Sequence, residues 1–184
     1  MRKLLLPLVA VIALTFSGCG NKTKFNEVKI NGLYSMSLPD YLTEGYELNS
    51  EASLQYQNEV KEVYVIVIDE SKEEFIEVFE SIGEYDSTKS AVDNYAEAQM
   101  ESIEENMSEV TSKSTMRKAD LAGCPARICD VAGTQDGITD AMGFTVAFIE
   151  GKETLYMVMT WTFEKTKPDY QDDMNEMINS FKEL

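Results

Sequence analysis

The amino-acid sequence predicts an α/β (α+β) fold, a three-layer α/β/α sandwich with a mostly antiparallel sheet. Three observations support this prediction. The segment Val63–Ile68 is apolar or aromatic at every position, and a strand with two apolar faces is covered on both sides. Amphipathic helical patterns stand before and after a later run of strands. Short turns join those strands, which makes their order antiparallel.

Three strands are expected before the first helix. Lys29–Leu38 is predicted to be the first strand, because Tyr34, Met36 and Leu38 alternate with serines. Ala52–Asn58 alternates in the same way, so one of its faces should contact water. Val63–Ile68 is then the third strand, in the middle of the sheet.

Three helices follow from capping signals and periodicity. Ser71 with Glu74 and Ser90 with Asp93 each form a capping box, and Pro168 suits the first turn of the last helix. The expected buried faces are Phe75, Val78, Phe79 and Ile82 in the first helix, Val92, Tyr95, Ala96, Ile103 and Met107 in the second, and Tyr170, Met174, Met177, Phe181 and Leu184 in the third. Gln99 interrupts the apolar stripe of the second helix.

A meander of strands is expected between the second and third helices. Its predicted strands are Met116–Ala122, Pro125–Ala132, Phe144–Ile149 and Thr154–Phe163. Asp136-Gly137 is a hairpin signal. The surrounding loop, residues 133–140, lacks the acidic spacing of an EF-hand, so we interpret it as a turn rather than a calcium site.

The N-terminus has the pattern of an export signal. Arg2 and Lys3 precede the apolar run Leu4–Phe16, which is shorter than the roughly 20 residues that a membrane-spanning helix needs. The following Phe16-Ser17-Gly18-Cys19 resembles the lipobox of bacterial lipoproteins, although Phe16 stands where Leu is usual. The alternative is an ordinary signal peptide followed by an unrelated cysteine.

The lipobox resemblance implies a division of the chain. Residues 1–18 are the expected signal peptide, residues 19–28 a lipid-anchored tether, and residues 29–184 one globular domain. Lipidation of Cys19 would place that domain outside the cytoplasm, on the cell membrane or the outer membrane.

The charge balance limits the partners. The chain has 16 Lys and Arg against 33 Asp and Glu. Without Arg2 and Lys3 the mature charge is −19. Such a surface repels nucleic acid and anionic lipid headgroups. Membrane affinity must therefore come from the lipid.

No catalytic or metal-binding constellation is recognisable in the sequence. The chain has no histidine, which excludes Ser-His-Asp and Cys-His catalysis and histidine metal sites. We expect no cofactor and no bound metal. Cys124 and Cys129 are five positions apart, which is about 16 Å along a strand, so unpaired thiols are favoured over a disulfide unless a sharp turn shortens the gap.

One strand face is a candidate ligand site. Met157, Met159 and Trp161 alternate along Thr154–Phe163, and a methionine-rich face can adapt to a ligand. The same pattern is typical of core packed beneath a helix, which is the preferred interpretation.

The order of elements resembles the PsbP-like fold, shared by PsbP, the Ran-binding Mog proteins and lipoproteins of the DcrB type. Residues 34–42 resemble the family's opening strand ending in Leu-Pro plus an aromatic residue, and residues 122–126 resemble its Gly-x-Pro-Ala turn. Residues 152–159 resemble its late strand and Asn179-Ser180-Phe181 its closing motif. The resemblance implies a non-catalytic binding or assembly subunit and carries over no functional residue.

Three hypotheses about function follow. The leading one is a non-enzymatic envelope lipoprotein that presents an acidic surface to a protein partner. The alternative is a carrier or sensor of a small apolar or cationic ligand held near Met157–Trp161. The third is a carboxylate-dependent hydrolase. The sequence does not specify the oligomeric state.

Overall fold

The computed structural model describes residues 23–184, so the predicted signal peptide, residues 1–18, and Cys19 lie outside the described residues. The strands of this part are β1 (Phe25–Ile30), β2 (Tyr34–Pro39), β3 (Thr43–Glu44), β4 (Ala52–Asn58), β5 (Val63–Ser71), β6 (Glu109–Lys113), β7 (Arg117–Leu121), β8 (Cys124–Gln135), β9 (Ile138–Glu150), β10 (Thr154–Phe163) and β11 (Lys182–Glu183). The helices are α1 (Lys72–Ile82), α2 (Ala91–Glu105) and α3 (Lys167–Asn179), and a 3-10 turn, Glu164–Thr166, precedes α3.

The strands form two sheets. The larger sheet has the order β3-β4-β5-β10-β9-β8-β6, and β7 also pairs with β8. All of its paired strands are antiparallel. A small sheet has the order β1-β2-β11. Because β5 lies between β4 and β10, its position agrees with the prediction from its two apolar faces.

Both faces of the larger sheet are covered. On one face, α3 and the small sheet enclose a core that includes Tyr34, Val65, Val158, Met174 and Phe181. On the other face, α1 and α2 enclose a second core. Its residues include Phe75, Tyr95, Met100, Phe148 and Leu155. The predicted three-layer, mostly antiparallel architecture is therefore confirmed.

Local capping signals begin and end the helices where the sequence predicts. The Ser71 hydroxyl accepts a hydrogen bond from the Glu74 backbone N–H, and Ser90 does the same for Asp93. Gly83 ends α1 in the left-handed conformation, with φ of 78°, which favours glycine. The helices thus satisfy backbone groups that would otherwise lack partners.

The buried face of α1 is narrower than predicted. Phe75 is buried and its ring centroid lies 4.3 Å from that of Phe79. Val78 and Ile82, by contrast, are 55% and 58% exposed. The helix contacts only β5 and α2 closely, so one stripe of side chains is enough to cover the interface. The prediction that Val78 and Ile82 are buried is wrong.

The predicted first strand is in fact a hairpin. Asn31 and Gly32 have φ of 45° and 72°, and the Leu33 N–H donates to the Ile30 carbonyl at 2.8 Å, as in a type I′ turn. The strand β1 before this turn includes residues 25–28, which the sequence analysis assigned to the tether. They pair with β2, and Phe25 and Val28 pack against the core, so the domain begins earlier than predicted.

Strand β6 was not predicted. Every residue from Glu109 to Lys113 is exposed, so the segment has no apolar alternation. It forms because its backbone pairs with β8.

Two residues of the predicted apolar face of the third helix lie outside that helix. Phe181 is buried beyond the end of α3, and Leu184 is 50% exposed.

Candidate functional site

A cleft of about 470 Å³ opens on the sheet face that α1 and α2 cover. Helix α2 ends at Glu105 before it has covered the whole face. The floor of the cleft consists of sheet residues, namely Ile66, Ile68, Phe144, Met157, Met159 and Trp161. The walls are Leu48, Asn49 and Glu51 on one side, and Gln99, Ser102, Ile103, Asn106, Met107 and Gln135 on the other.

The structure places the three predicted ligand-face residues side by side on this floor. Met157 is 5% exposed and belongs to the core beneath the helices. Met159 and Trp161 are half-buried and line the open part of the cleft. Met157 therefore agrees with the interpretation of this face as core packed beneath a helix. Met159 and Trp161, by contrast, contact the open cavity.

Trp161, at one end of the floor, packs between aromatic rings on the two neighbouring strands. In the sheet register, Trp161 of β10 lies opposite Tyr64 of β5 and Phe144 of β9. Its indole stacks on the Tyr64 ring, with centroids 5.2 Å apart, and on the Phe144 ring at 6.1 Å. Burial and a hydrogen bond to the Glu62 carboxylate raise the pKa of the Tyr64 hydroxyl to about 12. The rings form a broad, rigid apolar surface.

Two glutamine side chains position the walls. The Gln55 carbonyl oxygen accepts hydrogen bonds from the backbone N–H groups of Leu48 and Asn49, at 2.9 and 3.1 Å. On the other wall, the Gln99 amide donates to a carboxylate oxygen of Glu70 at 3.2 Å. Gln99 was the one polar residue within the predicted apolar stripe of α2. Its position on a cavity wall explains that interruption.

The electrostatics of the cleft favour a neutral or cationic occupant. Glu51 is the charged residue in the lining, and no lysine or arginine of the described chain belongs to it. Glu70, which binds Gln99, is half-buried, and its burial raises its pKa while the Glu51 charge adds to the increase. An anionic ligand would meet carboxylates without any compensating cation.

An ion pair fixes the beginning of α2 against the sheet. The Arg127 guanidinium on β8 is 8% exposed and donates from Nε to an Asp93 carboxylate oxygen at 2.6 Å. This hydrogen bond lowers the pKa of Asp93 to about 2. Asp93 also accepts a hydrogen bond from the Ser90 hydroxyl. The helix that forms one wall of the cleft is therefore held at its other end by a charged contact.

A second groove lies at the junction of β5 and α1. It has a volume of about 740 Å³, and its charged lining residues are Asp69, Glu70, Lys72, Glu73, Glu77, Lys152 and Glu153. Lys72 donates to the Glu150 carboxylate and to the Gly151 carbonyl, at 3.4 and 3.0 Å.

Within residues 23–184, no cluster of three or more Cys, Asp or Glu side chains has a metal-binding arrangement.

The two cysteines of the domain are unpaired, as predicted. Cys124 and Cys129 are free and buried. Their odd separation puts them on opposite faces of β8, so Cys124 packs in the core under α3 and Cys129 in the core under α2. Burial raises the pKa of Cys129 to about 11 and also raises that of Cys124. Both thiols stay protonated and unreactive near neutral pH.

Comparison with known proteins defines the fold class. No protein-family profile matches the chain, and no curated protein matches its sequence. The solution structure of cyanobacterial PsbP (CyanoP) from Synechocystis sp. PCC 6803 is similar, with a TM-score of 0.56 and 10% identity, over 91% of this chain and 96% of that one. LpqN, involved in cell envelope biogenesis of Mycobacterium tuberculosis, is similar with a TM-score of 0.55 and 10% identity, over 89% and 92% of the two chains.

A third structure, from Bacteroides thetaiotaomicron, has a TM-score of 0.51 and 8% identity, and the match covers 86% of this chain and 48% of that one. These similarities show that the chain has a PsbP-like fold, as its motifs indicated. Identities this low carry no information about activity. Among residues 23–184, no helix is long and apolar enough to cross a bilayer.

Proposed function

We propose that this chain is a non-catalytic binding module of the cell envelope, anchored by lipid on Cys19, and that the cleft is its binding site. The observation that carries the proposal is the cleft itself, because half-buried Met159 and Trp161 lie at the edge of the core and line open space. The lipobox resemblance and the fold shared with an envelope protein, LpqN, support the location.

The lining defines the chemistry of the occupant. Apolar and aromatic side chains form the floor, and amides and a single carboxylate, Glu51, line the walls. An apolar group that carries a positive charge fits this arrangement. Its apolar part would contact Met159 and Phe144, and the Glu51 carboxylate would attract its cation.

A protein partner is the leading source of such a group. A mature charge of −19 attracts basic surfaces over several ångströms and speeds encounter with them. An apolar side chain next to a lysine or arginine of the partner would then enter the cleft. The second candidate is a free small ligand, which is favoured by the cleft volume of about 470 Å³ because small-molecule sites fall in this range.

Photo-crosslinking in native membranes tests the protein partner. A photoreactive phenylalanine analogue replaces Asn49 on the cleft wall of the full chain, and the matched control replaces exposed Val78 on α1. We expect a discrete crosslinked protein from position 49 only. Equal crosslinking from both positions would argue against a partner at the cleft.

Fluorescence of Trp161, the only tryptophan, tests the free ligand. Octyltrimethylammonium, kept below its micelle concentration, should shift the Trp161 emission saturably, while octyl sulfate of equal chain length should not. A saturable shift without a position-specific crosslink would favour the ligand carrier. The Met159→Lys variant should abolish the shift, because it places a charged side chain where the apolar part of the ligand would lie.

The hydrolase hypothesis has less support. Glu70, which lines the groove at the junction of β5 and α1, is half-buried and accepts a hydrogen bond from Gln99. Turnover of a cell-wall glycan by the purified chain, abolished by Glu70→Gln, would overturn the non-catalytic proposal.

A further inference from the structure

The first described residue is tied to a specific corner of the domain. The Thr23 hydroxyl donates to Oδ2 of Asp173 on α3 at 3.2 Å, and the Tyr41 hydroxyl donates to the same oxygen at 2.8 Å. The Lys24 carbonyl accepts from the Asp40 N–H at 2.8 Å. The chain therefore leaves the domain beside Tyr41 and α3.

The tip of the β4–β5 hairpin lies at this same corner. The Lys61 ammonium lies 5.2 Å from the ring centroid of Tyr41 and 5.7 Å from that of Tyr170. The Asn58 amide donates to the Tyr41 carbonyl at 2.7 Å and its oxygen accepts from the Lys61 N–H at 2.8 Å. These contacts hold the tip rigidly next to the point where the chain leaves the domain.

The composition of the corner is that of a membrane interface. Val60 at the tip is 95% exposed, so its apolar side chain has no cover in the domain. The next residue, Lys61, lies over the rings of Tyr41 and Tyr170, and lysine and tyrosine concentrate at the level of lipid headgroups. Carboxylates also lie here, namely Asp40, Glu59, Glu62 and Asp173. Because carboxylates outnumber cations at this corner, it suits zwitterionic headgroups and not an anionic surface.

The length of the anchor limits how far this corner can move from the bilayer. Cys19 and Thr23 are four residues apart, which allows a separation of at most about 15 Å. A domain of this size has a radius of gyration of roughly 15 Å, hence a diameter well above the reach of that segment. Free tumbling above the membrane would need a longer connection.

We infer that the β4–β5 hairpin tip, with Val60 foremost, rests on the zwitterionic headgroups of the membrane in the anchored protein. The inference rests on the proposed lipid anchor at Cys19. The contact sets orientation and adds little affinity, because the lipid supplies that.

Depth-dependent fluorescence quenching tests this orientation. The lipidated full chain is labelled with nitrobenzoxadiazole at Val60→Cys, or at Val78→Cys as a matched exposed control, and reconstituted in phosphatidylcholine vesicles with spin-labelled lipid. Buried Cys124 and Cys129 should stay unlabelled. We expect about twofold or more stronger quenching at position 60, because interfacial side chains enter the outer 5–10 Å of the bilayer.

The failures of the anchor and of the orientation give different results. A lipidated preparation that does not float with the vesicles would overturn the anchor and the orientation together. Flotation with equal quenching at both positions, or stronger quenching at position 78, would overturn the orientation alone. Insertion of about twelve Gly and Ser residues before Thr23, which adds roughly 20 Å of reach, should reduce the contrast between the two positions. An unchanged contrast would show that the short segment is not its cause.

Discussion

The indole ring of Trp161 stacks on the phenol ring of Tyr64, with planes only 13° apart and centroids separated by 5.2 Å. The two residues are cross-strand partners on β10 and β5. The contact orders the aromatic end of the cleft and shields one face of the only tryptophan in the chain.

Loss of this stack should expose Trp161. In Tyr64→Ala, acrylamide should quench the tryptophan emission more strongly and its maximum should shift to the red. The unfolding free energy should fall by about 1–2 kcal/mol, because a stacked aromatic pair adds roughly 0.5–1.5 kcal/mol beyond the area it buries. Tyr46→Ala is the control, since Tyr46 is 76% exposed. Equal quenching in both variants would show that Tyr64 does not shield the indole.

The Asp93–Arg127 ion pair should make stability depend on acid pH. The folded-state pKa of Asp93 is about 2, below the ordinary value of about 3.9. Its contribution is therefore complete above about pH 4 and is lost as the pH falls through 2. Allowing for partial solvent exposure, we expect Asp93→Asn to lose about 1–2 kcal/mol at pH 7.

Urea unfolding at pH 7 and at pH 2 measures this effect. The difference between Asp93→Asn and the unmodified chain should shrink at the lower pH, where Asp93 is about half protonated in the folded state and almost fully protonated in the unfolded state. The exposed Glu101→Gln on the same helix is the control. A difference that stays constant between the two pH values would mean that the ion pair does not stabilise the fold.

Ionisation of Glu70 should lower the stability of the fold, whereas ionisation of Asp93 raises it. Its burial raises its folded-state pKa above the ordinary value of about 4.3, so stability falls as the pH rises through the folded-state pKa. Glu70→Gln removes this penalty, and its side-chain oxygen can still accept the hydrogen bond from Gln99. We expect the variant to be at least as stable as the unmodified chain at pH 7, with a flatter dependence on pH.

Thermal unfolding between pH 4 and pH 7 tests this expectation, with exposed Glu77→Gln as the control from the same groove. The Tyr95 hydroxyl is buried without a hydrogen-bond partner of good geometry, and Glu70 is the charge that most raises its pKa after burial itself. A destabilised Glu70→Gln would therefore indicate that Tyr95 donates to the Glu70 carboxylate in solution.

Gly133 should tolerate no side chain. A Cβ atom at this position of β8 would lie 2.6 Å from the Glu109 carbonyl oxygen and 2.5 Å from the Met107 sulfur. The carbonyl belongs to β6 and can move only if the strand pairing shifts. We expect Gly133→Ala to lower the unfolding free energy by about 1–3 kcal/mol. At Gly45 the nearest atoms are side-chain carbons of Gln57 at 3.3 Å, so Gly45→Ala should cost less. Chemical denaturation of both variants provides the comparison.

Signals carried within a few residues allowed most of the fold to be predicted. Ser71 and Ser90 mark helix starts because their side chains bond backbone groups three residues away. The hairpin at Asn31-Gly32 was not predicted, because the strand indicated by the alternation of Tyr34, Met36 and Leu38 was extended back to Lys29 through this turn. Strand β6 has no apolar pattern, since all of its side chains are exposed.

The cleft depends on geometry that no local pattern contains. Its existence follows from where α2 ends relative to β5 and β10, which are far from it in sequence. The pattern identified Met157, Met159 and Trp161 as one face, but not which of them would be covered. Gln99 was the one sequence signal of a polar wall, because a glutamine within a buried stripe needs a partner such as Glu70.

The placement of Cys124 and Cys129 on opposite faces of β8 also affects how the domain can be made. Since the two sulfurs are in separate cores, they cannot form a disulfide bond within the chain unless the strand turns over. Residues 23–184 therefore reach their native state without an oxidant or a disulfide isomerase, and a reducing agent should leave their stability unchanged. Folding of the domain therefore needs no oxidising compartment.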